Sequence, residues 1–261
     1  RSRVPDEPSA SFSTHELALN LNTKWRKWDI SLFYFYHWDD SPTSFRRAFI
    51  PKGEIDPFTR SIVDRDTFYT ERKPTRLHTL GTAVEKQGWM LGRNWISLVE
   101  VNYTMNDYFA QAKPAGMSNE AWFRIDPNGV TKRNWISAAW NLNANFFQNE
   151  LKTFLQLVYD RTFGWDDRLR GTRSGNDRRD NFLFALGLSK QFSFTNDKLG
   201  MAVIHSYRED GDNAQRVEMS YKVSDYLYLL GRYYWFAGNS DDPWGQMDDK
   251  DMLHFELKYS F

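Results

Sequence analysis

Apolar and polar residues alternate with a period of two along most of this chain, most plainly at its end. Leu253, Phe255, Leu257, Tyr259 and Phe261 alternate with His254, Glu256, Lys258 and Ser260. Successive side chains of a β-strand point to opposite faces, so this segment is a strand with one apolar and one charged face. The same rhythm runs through Leu17, Leu19 and Leu21, through Ile136, Ala138, Trp140, Leu142 and Ala144, and through Phe182, Phe184, Leu186 and Leu188. Val217, Met219, Tyr221 and Val223 repeat it, with Arg216, Glu218, Ser220 and Lys222 opposite. Alternation alone does not say which face looks outward.

About eleven strands follow from this pattern, roughly 12–23, 26–38, 75–87, 94–107, 132–147, 151–163, 180–192, 197–208, 214–223, 226–237 and 251–261, each near the length of a tilted membrane-crossing strand. In 75–87 the alternation is blurred by Gly81 and Thr82, and 226–237 is apolar on both faces apart from Arg232. The connections alternate in length. Short ones fall near Asn22–Arg26, Lys86–Arg93, Gln148–Glu150, Thr195–Lys198 and Ser224–Asp225. Longer ones fall at Asp39–Pro74, Ala110–Thr131, Gly164–Asp180 and Ala237–Lys250, with a shorter one at Glu209–Asn213. Tight turns on one rim and long loops on the other describe an outer-membrane barrel, with the turns periplasmic. The expected fold is therefore all-β, a transmembrane antiparallel up-and-down β-barrel.

Composition sharpens this. Aromatics make up 17% of the chain beside 26% charged residues, and mean hydropathy is −0.69. A soluble core has no use for so many rings beside so many charges, whereas a barrel places rings at two interfaces and polar groups in its lumen. Lys+Arg and Asp+Glu balance at 34 each, so no global field argues for nucleic acid. With no cysteine, disulfides, thiolate catalysis and Cys-ligated zinc are excluded. No apolar run approaches the roughly 18 residues of a spanning helix. The first residues lack an apolar h-region, so a signal peptide is expected to have been removed.

The final strand resembles the C-terminal assembly signal of bacterial outer-membrane proteins, which ends in an aromatic and is read by the barrel assembly machinery; Tyr259 and Phe261 would carry it. Single-chain bacterial barrels have even strand numbers. An odd count here leads to the expectation that residues 1–261 are the C-terminal portion of one larger barrel domain, unless a strand hides within Asp39–Pro74.

Several stretches resemble a proteobacterial outer-membrane barrel family known only as a domain of unknown function. They are Arg3-Val4-Pro5-Asp6, Trp28-Asp29-Ile30-Ser31-Leu32-Phe33-Tyr34 and His37-Trp38-Asp39-Asp40-Ser41-Pro42, then Tyr69, Arg76-Leu77-His78-Thr79-Leu80-Gly81 and Glu100-Val101-Asn102-Tyr103. The resemblance spans roughly the first 105 residues. It implies a barrel serving export or uptake of hydrophobic or lipid-like compounds, and it carries no functional residues.

Candidate chemistry is sparse. The five histidines, His15, His37, His78, His205 and His254, show no metal-ligand spacing. His205 and Ser206 are neighbours, but adjacent strand residues face opposite ways, so a hydrolase pair would need a partner from another strand. Arg168, Arg170, Arg173, Arg178 and Arg179 crowd one long loop, where Arg forks suit lipopolysaccharide phosphates. Interspersed acids make a self-neutralised loop an equal reading. Asp241, Asp242, Asp248, Asp249 and Asp251 offer oxygens to calcium, though without EF-hand spacing. No cofactor is expected.

The lumen face is the main candidate site. Glu16, Asn20, Glu100, Asn102, Gln156, Asp160, Arg216, Glu218, Lys222, Arg232, His254, Glu256 and Lys258 should point inward, with cross-strand ladders among the late ones. Phe33, Phe35 and Leu183 should also point inward, marking an apolar stretch of wall or contact with a plug. The expectation is an outer-membrane channel or transporter, a porin-like barrel passing a solute. The alternative is a scaffold barrel holding a lipoprotein, an electron carrier or a periplasmic machine, and an outer-membrane hydrolase comes third. Expected partners are outer-membrane lipid, lipopolysaccharide, the assembly machinery and a periplasmic or lipoprotein partner, with no nucleic acid.

Overall fold

The computed structural model describes residues 2–3, 15–39, 43–90, 93–146, 151–170, 179–238 and 244–259. Eleven strands follow one another in an antiparallel path: β2 (Leu17–Trp25), β3 (Trp28–Trp38), β6 (Arg76–Met90), β7 (Arg93–Gln111), β8 (Val130–Phe146), β9 (Leu151–Thr162), β11 (Asp180–Gln191), β12 (Leu199–Arg208), β13 (Asn213–Lys222), β14 (Leu227–Ala237) and β15 (Met252–Tyr259). A short β10 (Leu169–Arg170) pairs with β7, making a 12-stranded sheet. Each strand of the path coincides with one read from the alternation, displaced by a few residues at its ends. No described helix is long and apolar enough to cross a membrane.

Consecutive connections leave from alternate ends of the antiparallel path. The strand ends that bound 26–27, 91–92, 147–150, 192–198 and 223–226 form one rim, and those that bound 39–75, 112–129, 163–179, 209–212 and 238–251 form the other, which has the longer connections apart from 209–212. Among the described residues β2 and β15 have one sheet neighbour each, and no pairing joins them.

The Asp39–Pro74 stretch is not a bare loop. It contains β4 (Thr43–Ile50) and β5 (Thr67–Lys73), which pair with each other and, through β5, with β1 (Ser2–Arg3). These strands form a separate three-stranded sheet, so they leave the parity of the main path unchanged. The Ala110–Thr131 stretch holds a helix, α1 (Asn119–Ile125), whose N-cap Ser118 accepts the Ala121 N–H. Phe49, Phe68, Trp122 and Phe123 join the small sheet to α1. Arg46 lies between them, 3.3 Å from the Trp122 ring centroid and 5.1 Å from that of Phe68.

Cross-strand registers set the two faces of the main sheet. Leu21, Leu32, Thr82, Val101, Ala138, Tyr159 and Phe182 follow one another in register, and so do Leu188, Val203, Val217, Tyr233 and Leu253. This apolar face is the exposed one: Leu21 is 74% exposed, Met219 56% and Phe255 77%. Rings gather near both ends of its strands. Trp25, Trp28, Trp95, Tyr221 and Tyr259 lie toward the turn rim, and Tyr36, Tyr103, Tyr159, Tyr207 and Trp235 toward the loop rim. The opposite, mixed face holds the buried strand positions, including Leu77, Thr104, Asn181, Ala185, Arg208, Ser220 and Leu230. A soluble sheet buries its apolar face and wets the polar one. Here the arrangement is inverted.

The sheet curls about the mixed face, since residues of β8, β9, β11, β12 and β13 line a single cavity there. Glycines permit the close approach of inner rings. A Cβ on Gly187 would sit 1.9 Å from the Phe154 ring, and one on Gly81 2.4 Å from Phe33. The glycine that blurs the 75–87 alternation is therefore a seat for a neighbouring side chain.

Candidate functional site

The strand residues expected to point inward all share the mixed face. Asn20 pairs with Phe33, Phe33 with Gly81 and Gly81 with Asn102, while Glu100 stands opposite Ala83. Gln156 and Asp160 face Ala185 and Asn181. Glu16, just before β2, accepts the Trp38 N–H at 2.9 Å. Leu183 lines a cavity with Val158, Asp160, Asn181 and Arg208.

A charged ladder crosses the last three strands. Arg232 donates from Nε to Glu218 at 2.8 Å and from Nη1 to Glu256 at 3.4 Å. Lys258 lies 3.3 Å from Glu256, and His254 Nε2 lies 3.8 Å from it. Arg232 bridges two carboxylates because Glu218 stands directly opposite it on β13 and Glu256 is its diagonal neighbour on β15, both within reach of a long side chain. Lys222 does not join the ladder. Its ammonium is 2.7 Å from Asp225 in the following turn, and that hydrogen bond holds the Asp225 carboxyl below its ordinary range. Arg216 has no ion-pair partner among the described residues, and its Nε is buried without an acceptor.

The apolar stretch expected at Phe33 and Phe35 is a cavity of about 460 Å³ toward the loop rim, lined also by Leu77, Thr79, Asn102, Thr104 and Trp135. Three of its polar groups are engaged with one another, His37 Nε2 lying 3.3 Å from the Thr79 hydroxyl, itself 3.2 Å from that of Thr104, while Asn102 Oδ1 is buried without a donor. Its lining residues belong to β3, β6, β7 and β8, with Asp39 just after β3.

Sequence reading missed the charges buried at the loop rim. Asn106, at φ 61°, marks a bulge that shifts the β7–β8 register between Thr104 and Asp107. The bulge turns Asp107 inward, where its carboxylate accepts the Trp135 indole N–H at 3.0 Å. Arg208 lies 3.8 Å from Asp210, both side chains buried, and Asp212 accepts the Trp244 N–H at 3.1 Å. The Glu209-Asp210-Gly211-Asp212 run was the available signal.

The loop arginines are partly engaged. Arg168 pairs with Asp166, holding that carboxyl well below its ordinary range. Arg170 donates to the carbonyls of Asp167 and Leu169, and Arg179 lies 3.8 Å from Asp180. Arg173 and Arg178 lie outside the described residues, as do Asp241, Asp242 and Phe261. Of the remaining calcium candidates, Asp251 accepts the Tyr233 hydroxyl, and Asp248 and Asp249 follow the short 3-10 turn Gly245–Met247. Among the described residues no three potential metal ligands come together. Tyr259 continues the exposed face of Leu253, Phe255 and Leu257. His205 stands in register with Leu186 and Gln215, so no hydroxyl opposes it, and Ser206 is on the other face.

No protein-family model and no curated protein matches this chain.

Proposed function

We propose that this chain forms wall of a transmembrane β-barrel in a Gram-negative outer membrane, and that the barrel is a channel or transporter passing solute along the mixed face. The inverted polarity of the sheet carries the reading: the largely apolar face is exposed, its charges such as Arg76, Lys86, Arg161 and Asp180 lying toward the strand ends, and the other face carries charge along the middle of its strands. The flanking bands of rings and the sorting of turns and loops support it. The reading requires paired edges, because unpaired backbone in hydrocarbon costs several kcal/mol per group. An odd number of further strands between β2 and β15 would close the wall and complete an even count. The loop rim, with its small sheet, α1 and arginine loop, then faces outward toward lipopolysaccharide. The final strand carries the assembly signal.

Planar-bilayer recording of the reconstituted protein tests this. Discrete conductance steps are expected, and changing Arg216 and Lys152, the latter on β9 and lining one mixed-face cavity with Arg216, to Glu should move ion preference toward cations, most strongly at low salt. A barrel that inserts but stays closed at every voltage would contradict the channel reading. It would favour a scaffold barrel, for which the Glu218–Arg232–Glu256 ladder is a brace.

A further inference from the structure

On the mixed face, toward the turn rim, small residues open a floor between two walls. Gly187, Ser189 and Ala202 lie on β11 and β12, with Lys152 and Phe154 of β9 on one side and Arg216 and Glu218 of β13 on the other. These residues line a cavity of about 300 Å³. A second cavity of about 190 Å³ shares Lys152, Ser189 and Glu218 with it and reaches Gln191, Ser220 and Tyr228.

The charges in this space do not cancel. Glu218 is taken by Arg232 at 2.8 Å. Neither Lys152 nor Arg216 has an ion-pair partner among the described residues, and the buried Arg216 Nε–H has no acceptor. A buried donor without a partner is a costly and uncommon arrangement, relieved by a ligand that brings an acceptor. A guanidinium with a nearby ammonium suits a carboxylate, which the Arg fork can grip through both oxygens. Two walls are apolar: the Phe154 ring, seated over Gly187, and Ile204. Inorganic phosphate gains nothing from such walls, whereas an organic acid does. The volume lies at the lower end of ligand pockets, matching a small molecule.

We propose that this cavity is a binding subsite for a small organic carboxylate, its carboxylate held by Arg216 and Lys152 and its hydrocarbon part laid against Phe154 and Ile204. The site deepens the transport reading and rests on it for the route by which solute arrives.

The test is titration calorimetry of the full chain, refolded in detergent micelles at low salt, with benzoate as the probe. Benzyl alcohol keeps the ring without the charge, and inorganic phosphate keeps the charge without the ring. Saturable benzoate binding is expected, with both controls at least about tenfold weaker. Arg216→Gln and Lys152→Gln should each weaken benzoate about tenfold or more. Lys222→Gln, whose ammonium is bound to Asp225, should leave it unchanged. Lys152 is exposed, so Lys152→Gln reads the site even if Arg216→Gln fails to fold. Absent benzoate binding, or binding indifferent to the Lys152 change, overturns the site. Phosphate binding as tight as benzoate overturns the carboxylate class. Micelle binding needs no conduction, so a silent barrel that binds benzoate contradicts transport alone, and a conducting one that does not bind contradicts the subsite alone.

Discussion

Arg232 and Glu218 occupy directly opposed positions of β13 and β14, and Arg232 Nε donates to the Glu218 carboxylate at 2.8 Å. The side chains are 25% and 22% exposed, and Glu256 meets the same guanidinium from β15. The last three strands are thereby tied through one cation. Removing it leaves Glu218 half-buried with no cation beside it among the described residues, and leaves Glu256 to Lys258 at 3.3 Å and His254 at 3.8 Å.

Arg232→Met should therefore destabilise the folded protein by on the order of 1–3 kcal/mol, between the cost for a surface pair and that for a fully buried one. Adding Glu218→Gln should recover part of the loss, because one of the stranded charges is gone. Urea titration of the micelle-refolded variants measures both. A single variant as stable as the parent, or a double variant less stable than the single, would contradict the ladder's role.

Phe255 and His254 are neighbours at one depth on β15, facing opposite ways, with Phe255 opposite Gly231 and His254 opposite Arg232. In lipid vesicles Phe255→Arg should cost about 2–4 kcal/mol, the price of a cation on a barrel's lipid face near mid-membrane. His254→Arg should cost far less, since it replaces one basic group near Glu256 with another. Equal losses, or a larger loss at His254, would reverse the assigned polarity.

A third expectation concerns the connection between β4 and β5. Burial of Asp56 works to raise its carboxyl pKa, but hydrogen bonds from the Thr59 and Tyr69 hydroxyls and the Phe58 N–H outweigh it and hold the value at about 2, against 3.8 ordinarily. A carboxyl depressed on folding stabilises the loop fully above the unfolded value, and the contribution fades as pH falls through the folded one. The loop should keep its structure down to pH 3.8 and loosen between there and about 2. Carbon-13 titration of Asp56 should show the low midpoint, and Tyr69→Phe should raise it. A midpoint at or above 3.8 in the parent protein contradicts the network.

Period two made the path legible, because most of its strands have one largely apolar face, as in Leu253, Phe255 and Leu257. The same signal failed for β4 and β5. Their sequences, Thr43–Ile50 and Thr67–Lys73, carry charge on both faces and a bulge between Arg46 and Ala48. They are organised by rings of a distant segment, Trp122 and Phe123, which strand-by-strand reading does not connect. The helix left a local trace, the Ser118 cap and the Glu120–Arg124 pair one turn apart. On the mixed face, Arg216, Glu218, Lys222, Glu256 and Lys258 were readable as candidates for cross-strand ladders, but their partners were not. Lys222 is drawn off by Asp225, Arg232 is the hub, and Lys152 meets the β13 charges only because curvature brings β9 and β13 to one cavity. Register follows from pattern; which cations remain unpaired depends on where the turns and the curl place each carboxylate.

In the proposed barrel the apolar face meets lipid and the mixed face meets water. The chain has no cysteine, so single cysteines at positions 215–222 along β13 can each carry a spin label in vesicles with no competing site. Accessibility to dissolved oxygen should peak at 217, 219 and 221, and accessibility to a water-soluble nickel chelate at 216, 218 and 220. Two-residue oscillations in opposite phase are the predicted result. Oscillations of the reverse phase, or none, would contradict the account.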